Sequence, residues 1–226
     1  MNIEPIARIR CDFPTKFGLP RQSGLNDRLL GEIVFEKKFR NPDAIRGLDA
    51  FSHIWLIWAF SIPEKQGWQA TVRPPRLGGN ERIGVFATRS PFRPNPLGLT
   101  VVKLEKVATD GPDAPYLVVS GADMMNGTEI FDIKPYIPYA DIRENASGSF
   151  AQSMKDYRLK VDFPAELLDM IPIDKQSVLI AALEGDPRPA YQSDSERVYG
   201  FLYAGFDVRF RVKDGVVAVT EIISAG

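Results

Sequence analysis

Prolines at positions 91, 94 and 96 fall inside eight residues, Arg89 to Pro96, which read R-S-P-F-R-P-N-P. Proline fixes φ, lacks an amide donor and restricts the residue before it. Neither a helix nor a central strand can run through such a stretch. The chain on either side must therefore form separate elements joined by a stiff loop. Upstream, Arg82 to Thr88 reads as a strand; downstream, Leu97 to Val107, with Thr100, Val101 and Val102, reads as another. Arg89, Arg93 and Asn95 thus sit on backbone with little freedom. Polar side chains on a preorganised loop between strands read as a binding site; solvated arginines on a surface turn are the bland alternative.

The same punctuation recurs along the first ~140 residues, where short strand patterns alternate with Pro/Gly loops. Ile3 to Arg10 and Gly31 to Phe35 read as strands, and Lys16 to Leu25 as a loop carrying Arg21 and Gln22. Asn41 and Pro42 suit the N-cap and first position of a short helix ending near Gly47. Phe51 to Phe60 is apolar at both parities, which predicts a strand buried on both faces. Tyr116 to Ser120 is a further strand, and Asn126-Gly127 a strong turn signal. The strand after that turn places Asp132, Lys134 and Tyr136 on one face by its period of two. That face is either a polar, aromatic-walled site or an ordinary surface ion pair beside a tyrosine. Strands without interleaved helices cannot build a parallel sheet, so the pattern predicts a mainly β chain led by an antiparallel β-barrel.

After Ser147-Gly148-Ser149 the pattern changes. Ala165 to Met170 and Asp174 to Leu183 read as helices, the second capped by Asp174 and closed near Gly185. Val198 to Tyr203, Phe206 to Val212 and Val216 to Ile223 read as strands, the last two joined in a hairpin over Asp214-Gly215. Residues 1–148 are thus expected to form the barrel and 149–226 a small α+β C-terminal domain.

Charge narrows the function. The net charge is −1, yet residues 73–106 carry seven basic and two acidic groups, while the segment after them is strongly acidic. A local basic segment on a near-neutral chain points to one anion site, for a phosphate, a carboxylate or a short piece of nucleic acid. The single cysteine, Cys11, excludes an intramolecular disulfide and a thiolate metal cluster. The N-terminus has no apolar signal region, and the longest apolar run, Ile54 to Phe60, is far too short to span a bilayer, so a cytoplasmic location is expected. His53, the one histidine, has no recognisable nucleophile or second ligand at suitable spacing and reads as structural. No metal is expected. The glycine signatures of Rossmann turns and P-loops are missing as well.

Six segments together resemble the TsaA-like family of TrmO-type tRNA methyltransferases. They are L-P-R-Q (Leu19–Gln22), R-G-L-D-A-F-S-H-I-W (Arg46–Trp55), V-R-P-P-R-L-G-G-N (Val72–Asn80), A-T-R-S-P-F-R-P-N-P-L-G-L (Ala87–Leu99), D-I-K-P-Y (Asp132–Tyr136) and D-P-R-P-A-Y (Asp186–Tyr191). Each alone is weak; in this order they are specific. The resemblance implies a barrel that uses S-adenosyl-L-methionine to N6-methylate threonylcarbamoyladenosine at position 37, in the anticodon loop of tRNA. It also implies a homodimer. Carried over residue by residue, it assigns cofactor contacts to Pro20, Arg21, Gln22, Ser61, Ile62, Arg89, Leu99, Gly127, Thr128, Glu129 and Ile130.

Methylating a carbamoylated N6 calls for a base, and Asp132 with Lys134 is the candidate by placement. The threonyl carboxylate calls for a cation, which Arg93 or Lys134 supplies, with Asn95 and Tyr136 beside the substrate. Other readings stay open: a non-catalytic S-adenosylmethionine-binding barrel with a regulatory role, a hydrolase using His53, and a nonspecific RNA-binding module.

Overall fold

The computed structural model describes residues 2–19, 29–61, 67–74, 81–148, 157–188 and 194–225. Six strands, β1 (Ala7–Arg10), β2 (Leu30–Phe35), β3 (His53–Ala59), β6 (Leu97–Ala108), β7 (Tyr116–Ser120) and β8 (Glu129–Pro135), close a barrel in the order β1-β2-β7-β6-β3-β8. Every pairing in it is antiparallel. Between β3 and β6 lie two short paired strands, β4 (Thr71–Val72) and β5 (Ile83–Gly84). The chain is therefore mainly β, as its Pro/Gly punctuation predicts.

Period-two alternation fills the barrel. Ile9, Ile33, Ile54, Leu56, Leu117, Val119 and Ile130 point inward and are essentially inaccessible. β3 departs from its predicted burial on both faces. Ile54, Leu56 and Trp58 are buried, whereas His53, Trp55, Ile57 and Ala59 on the outer face are only half-covered. A barrel has no second layer on its outside, so an apolar outer row stays partly open there. Two further expectations are corrected. The strand predicted over Arg82 to Thr88 pairs only at β5 and then coils into a 3-10 turn, Val85–Ala87. Of the strand predicted over Ile3 to Arg10, Ala7–Arg10 is regular strand, and Ile6 adds amide bonds at its start.

The second unit is a four-stranded sheet in the order β10 (Tyr199–Tyr203), β11 (Phe206–Lys213), β12 (Val216–Ser224), β9 (Lys160–Asp162), packed with α2 (Ala165–Leu168) and α3 (Ile173–Glu184). A short helix, α1 (Pro138–Asp141), follows the barrel. Pro172, not Asp174, occupies the N-cap of α3, with Asp174 inside the first turn. Among the described residues no helix is long and apolar enough to cross a membrane.

The core of this second unit is not built from C-terminal residues alone. Phe13 and Leu29 are buried in it. The Phe13 ring lies 4.9 Å from that of Tyr203, Ala204 N donates to the Asp12 carbonyl (2.9 Å), and Lys175 Nζ pairs with Asp12 Oδ2 at 2.6 Å. The segment after β1 thus belongs to both units.

Past α3, Asp186 turns the chain in left-handed backbone (φ 53°), and Arg188 grips both of its carboxylate oxygens at 2.8 and 2.9 Å. Burial pushes the Asp186 carboxyl up, but Arg188 and the Tyr157 hydroxyl outweigh it, and the group sits below its usual value. A carboxyl depressed in the folded state stabilises the fold above its unfolded pKa, and that stability is lost as pH falls through the folded value. Urea melts of Asp186→Asn should therefore show a loss at pH 7 that narrows steadily toward pH 3.

Candidate functional site

The proline loop is tied into a rim at one end of the barrel. Thr88 Oγ1 donates to the Val85 carbonyl (2.8 Å), and Arg93 Nη1 donates to the carbonyls of Thr88 (2.7 Å) and Val85 (3.3 Å). The Arg93 guanidinium also lies 5.7 Å from the centroid of the exposed Phe86 ring. Phe60 N donates to the Pro96 carbonyl (2.8 Å), which fastens the loop to the end of β3.

Beneath the rim is a cleft of about 390 Å³, lined by Trp55, Trp58, Phe60, Thr88, Arg89, Arg93, Leu97, Gly98, Leu99 and Asp123. Its floor rests on one close approach. Gly98 faces Trp58 across the β3–β6 ladder, and a Cβ at Gly98 would lie 2.2 Å from the indole. The indole, packed 4.3 Å from the Phe60 ring, donates through Nε1 to Thr100 Oγ1 (3.0 Å), and Thr100 in turn donates to Asp123 Oδ1 (2.8 Å). The cleft thus combines flat aromatic walls with two guanidinium groups and one carboxylate. Such a volume and mixture suit a small ligand with a planar ring and charged ends.

The expected site residues fall into groups. Arg89, Arg93 and Leu99 meet in this cleft; Leu99, on the outer face of β6, is 56% exposed. Ser61 is exposed just past β3, and Asn95 is exposed on the rim loop. Pro20, Arg21, Gln22 and Ile62 lie outside the described residues.

Gly127, in left-handed backbone (φ 81°), lines a different hollow of about 320 Å³ with Arg8, Arg10, Arg40 and Asp113. Glu129 pairs with Arg8 Nη2 at 2.6 Å, and this hydrogen bond is the largest cause raising the Arg8 pKa. The Thr128 side chain is buried, and Ile130 is a core residue of the barrel. Ile130 is wholly inaccessible, and its carbonyl accepts from Ile6 N at 2.8 Å.

Asp132 and Lys134 share the outer face of β8, as their spacing requires, and pair with each other at 3.0 Å on exposed surface. Neither lines the cleft. Tyr136 packs its ring 5.8 Å from Trp55 and 6.2 Å from His53. His53 Nδ1 sits 2.9 Å from Ser52 Oγ, consistent with the structural reading. Among the described residues no group of three or more metal-ligating side chains is placed to hold a metal ion.

The sequence reading missed the aromatic walls and Asp123. The walls were hidden inside an apolar strand whose members all looked like core. Asp123 lies in the approach to a turn, and its place emerges only when β6 brings Thr100 beside it.

Comparison with known proteins agrees with this architecture. Residues 8–142 match the tRNA-methyltransferase O N-terminal domain family and residues 156–225 the TrmO C-terminal domain family. The chain is 42% identical over 221 residues to a tRNA (adenine(37)-N6)-methyltransferase of Escherichia coli (strain K12), covering 94% of each chain. It is 36% identical over 217 residues to a Pseudomonas aeruginosa protein named for S-adenosylmethionine-dependent methyl transfer, covering 92% of this chain and 91% of the relative. A crystal structure of TrmO from P. aeruginosa superposes with a TM-score of 0.78 at 29% identity, over 99% of this chain and 97% of that one.

Proposed function

This chain belongs to the tRNA-methyltransferase O family, and we propose that this tRNA adenine-N6 methyltransferase acts on adenine 37 where it carries a threonylcarbamoyl group, with S-adenosyl-L-methionine as donor. The observation that carries the reading is the cleft under the proline rim, where Trp58, Phe60 and Leu99 meet Arg89. When bound, S-adenosylmethionine supplies an electrophilic methyl group on a sulfonium. The aromatic walls suit its adenine, and the Arg89 guanidinium suits its carboxylate by a two-pronged fit. Ser61, Ile62, the turn Gly127 to Ile130 and the loop residues Pro20, Arg21 and Gln22 complete the cofactor contacts in this proposal.

The acceptor N6 is a poor nucleophile because the carbamoyl group withdraws its lone pair. A stiff rim that fixes the acceptor in line can lower the barrier by roughly 7–11 kcal/mol in favourable cases. Arg93 spends Nη1 on the rim carbonyls. A guanidinium has five N–H groups, and Arg93 offers its others to the threonyl carboxylate. Asp132 and Lys134, an exposed pair, serve the RNA surface with Tyr136 and Asn95, since splayed anticodon bases are bound by stacking and basic contacts. Residues 1–148 act as the catalytic unit and 149–226 as its support. A homodimer and a cytoplasmic location complete the proposal, the second because the relatives are named for action on tRNA.

The test is methyl transfer to two otherwise identical tRNAs, with and without the threonylcarbamoyl group. Methyl should enter only the modified tRNA. Equal labelling of both would refute the substrate assignment, and cofactor binding with no transfer would leave a regulatory barrel. In the same assay Arg89→Ala should raise KM for the donor by about 10- to 100-fold, the loss of one charge-assisted contact. Arg93→Ala should depress activity on the modified tRNA more than any residual activity on the unmodified one.

A further inference from the structure

The cleft holds one carboxylate, Asp123, that the reading above leaves unused. Its placement is fixed by hydrogen bonds with only one possible direction. An indole N–H can only donate, so Thr100 Oγ1 accepts from Trp58 Nε1 (3.0 Å). The single hydroxyl proton of Thr100 is then committed to Asp123 Oδ1 at 2.8 Å. Thr100 and Trp58 are themselves 3% and 6% exposed, so the relay is locked by packing. A hydroxyl that can only donate favours the charged form of the carboxylate it meets. Asp132 has no comparable placement: it lies on exposed surface and does not line the cleft.

We propose that Asp123 is the general base of the methyl transfer; this rests on the cleft being the site of that reaction. Asp123 takes the N6 proton as the N6–CH3 bond forms and the S–CH3 bond breaks, the bond's electron pair staying on sulfur. The products are the N6-methylated nucleoside, with no charge on N6, and the thioether S-adenosylhomocysteine; Asp123 returns its proton to solvent. Trp58 and Thr100 are positioning residues that aim the carboxylate.

Asp123→Asn keeps an oxygen to accept from Thr100 and removes only the basicity. With full-length protein and threonylcarbamoylated tRNA, kcat should fall at least about 100-fold. The residual rate should climb about tenfold per pH unit from pH 6 to 9, where the wild-type rate is flat. The affinity for S-adenosylhomocysteine, measured by calorimetry, should stay within about threefold. Thr100→Val should lower kcat by about tenfold with unchanged S-adenosylhomocysteine affinity, and Thr100→Ser should restore it. This pair decides the matter if Asp123→Asn does not fold. A variant kcat within threefold of wild type, or a loss lying entirely in cofactor affinity, overturns the role of Asp123. Wild-type protein that transfers no methyl group overturns the site's reading and the proposal together.

Discussion

Gly98→Ala is expected to destabilise the protein by about 2–4 kcal/mol and to abolish donor binding. The new methyl would sit 2.2 Å from the Trp58 indole, with further ring atoms at 2.5 and 2.7 Å. β6 cannot retreat, because Gly98 is held between neighbours that pair in register with β3 from Leu97 to Lys103. The indole must therefore leave. It then loses its packing on Phe60 and its bond to Thr100. Overpacking of this kind costs about 1–3 kcal/mol, and an unmade buried hydrogen bond adds about 1 more. Urea unfolding followed by far-UV circular dichroism measures the first effect, and calorimetric titration with S-adenosylhomocysteine the second. Adding Trp58→Phe, which removes the fused ring that clashes, should recover part of the stability but not the Trp58–Thr100 hydrogen bond. Activity should then recover less than stability does. An alanine variant within about 0.5 kcal/mol of wild type would show that the floor of the cleft is softer than the close approach implies.

Phe13→Ala should cost about 3–5 kcal/mol, the usual range for emptying a buried aromatic position. The residue is inaccessible and packs with Tyr203, although it lies in sequence with the barrel. Its consequence should be uneven. All three tryptophans, Trp55, Trp58 and Trp68, precede residue 148, so their fluorescence reports on the first unit alone. In the wild type, fluorescence and circular dichroism should follow one transition, since the segment from Asp12 to Phe13 is shared. In the variant, dichroism should change first as the second sheet loosens, with the fluorescence change trailing it. Coincident curves in Phe13→Ala would mean that Leu29 and the Asp12–Lys175 pair suffice to join the units.

How far the sequence foretold this arrangement depends on the range of the signal. Tyr116 to Ser120 and the hairpin over Asp214-Gly215 were legible because alternation and turn chemistry are local, and Asp214 and Gly215 do take positive φ. The Asn41 cap was legible for the same reason: its Oδ1 accepts from Asp43 N at 2.9 Å. Strand β9 was not foreseen. It pairs in parallel with β12, some fifty residues later, and no local pattern encodes such a partner. The two-sided burial expected of β3 failed because composition alone cannot tell a layered sheet from a barrel wall. In the site, Arg89 and Arg93 announced themselves through the prolines around them. Asp123 did not, because its meaning comes from Thr100, 23 residues earlier in sequence and 2.8 Å away in space.

The ladder between β1 and β8 is short. It pairs only Ala7 with Ile130 and Arg8 with Glu129, whereas β3 and β6 share seven pairs. Flanking amide bonds, Ile6 N to the Ile130 carbonyl and Ile9 N to the Thr128 carbonyl, lengthen it slightly, and Arg8 clasps Glu36 and Glu129 across it. A cylinder wrapped from one ribbon slackens first where its overlap is narrowest. Here that overlap runs beside Gly127 to Ile130, so the wall should part first along this seam while the seven-pair seam of β3 and β6 stays shut.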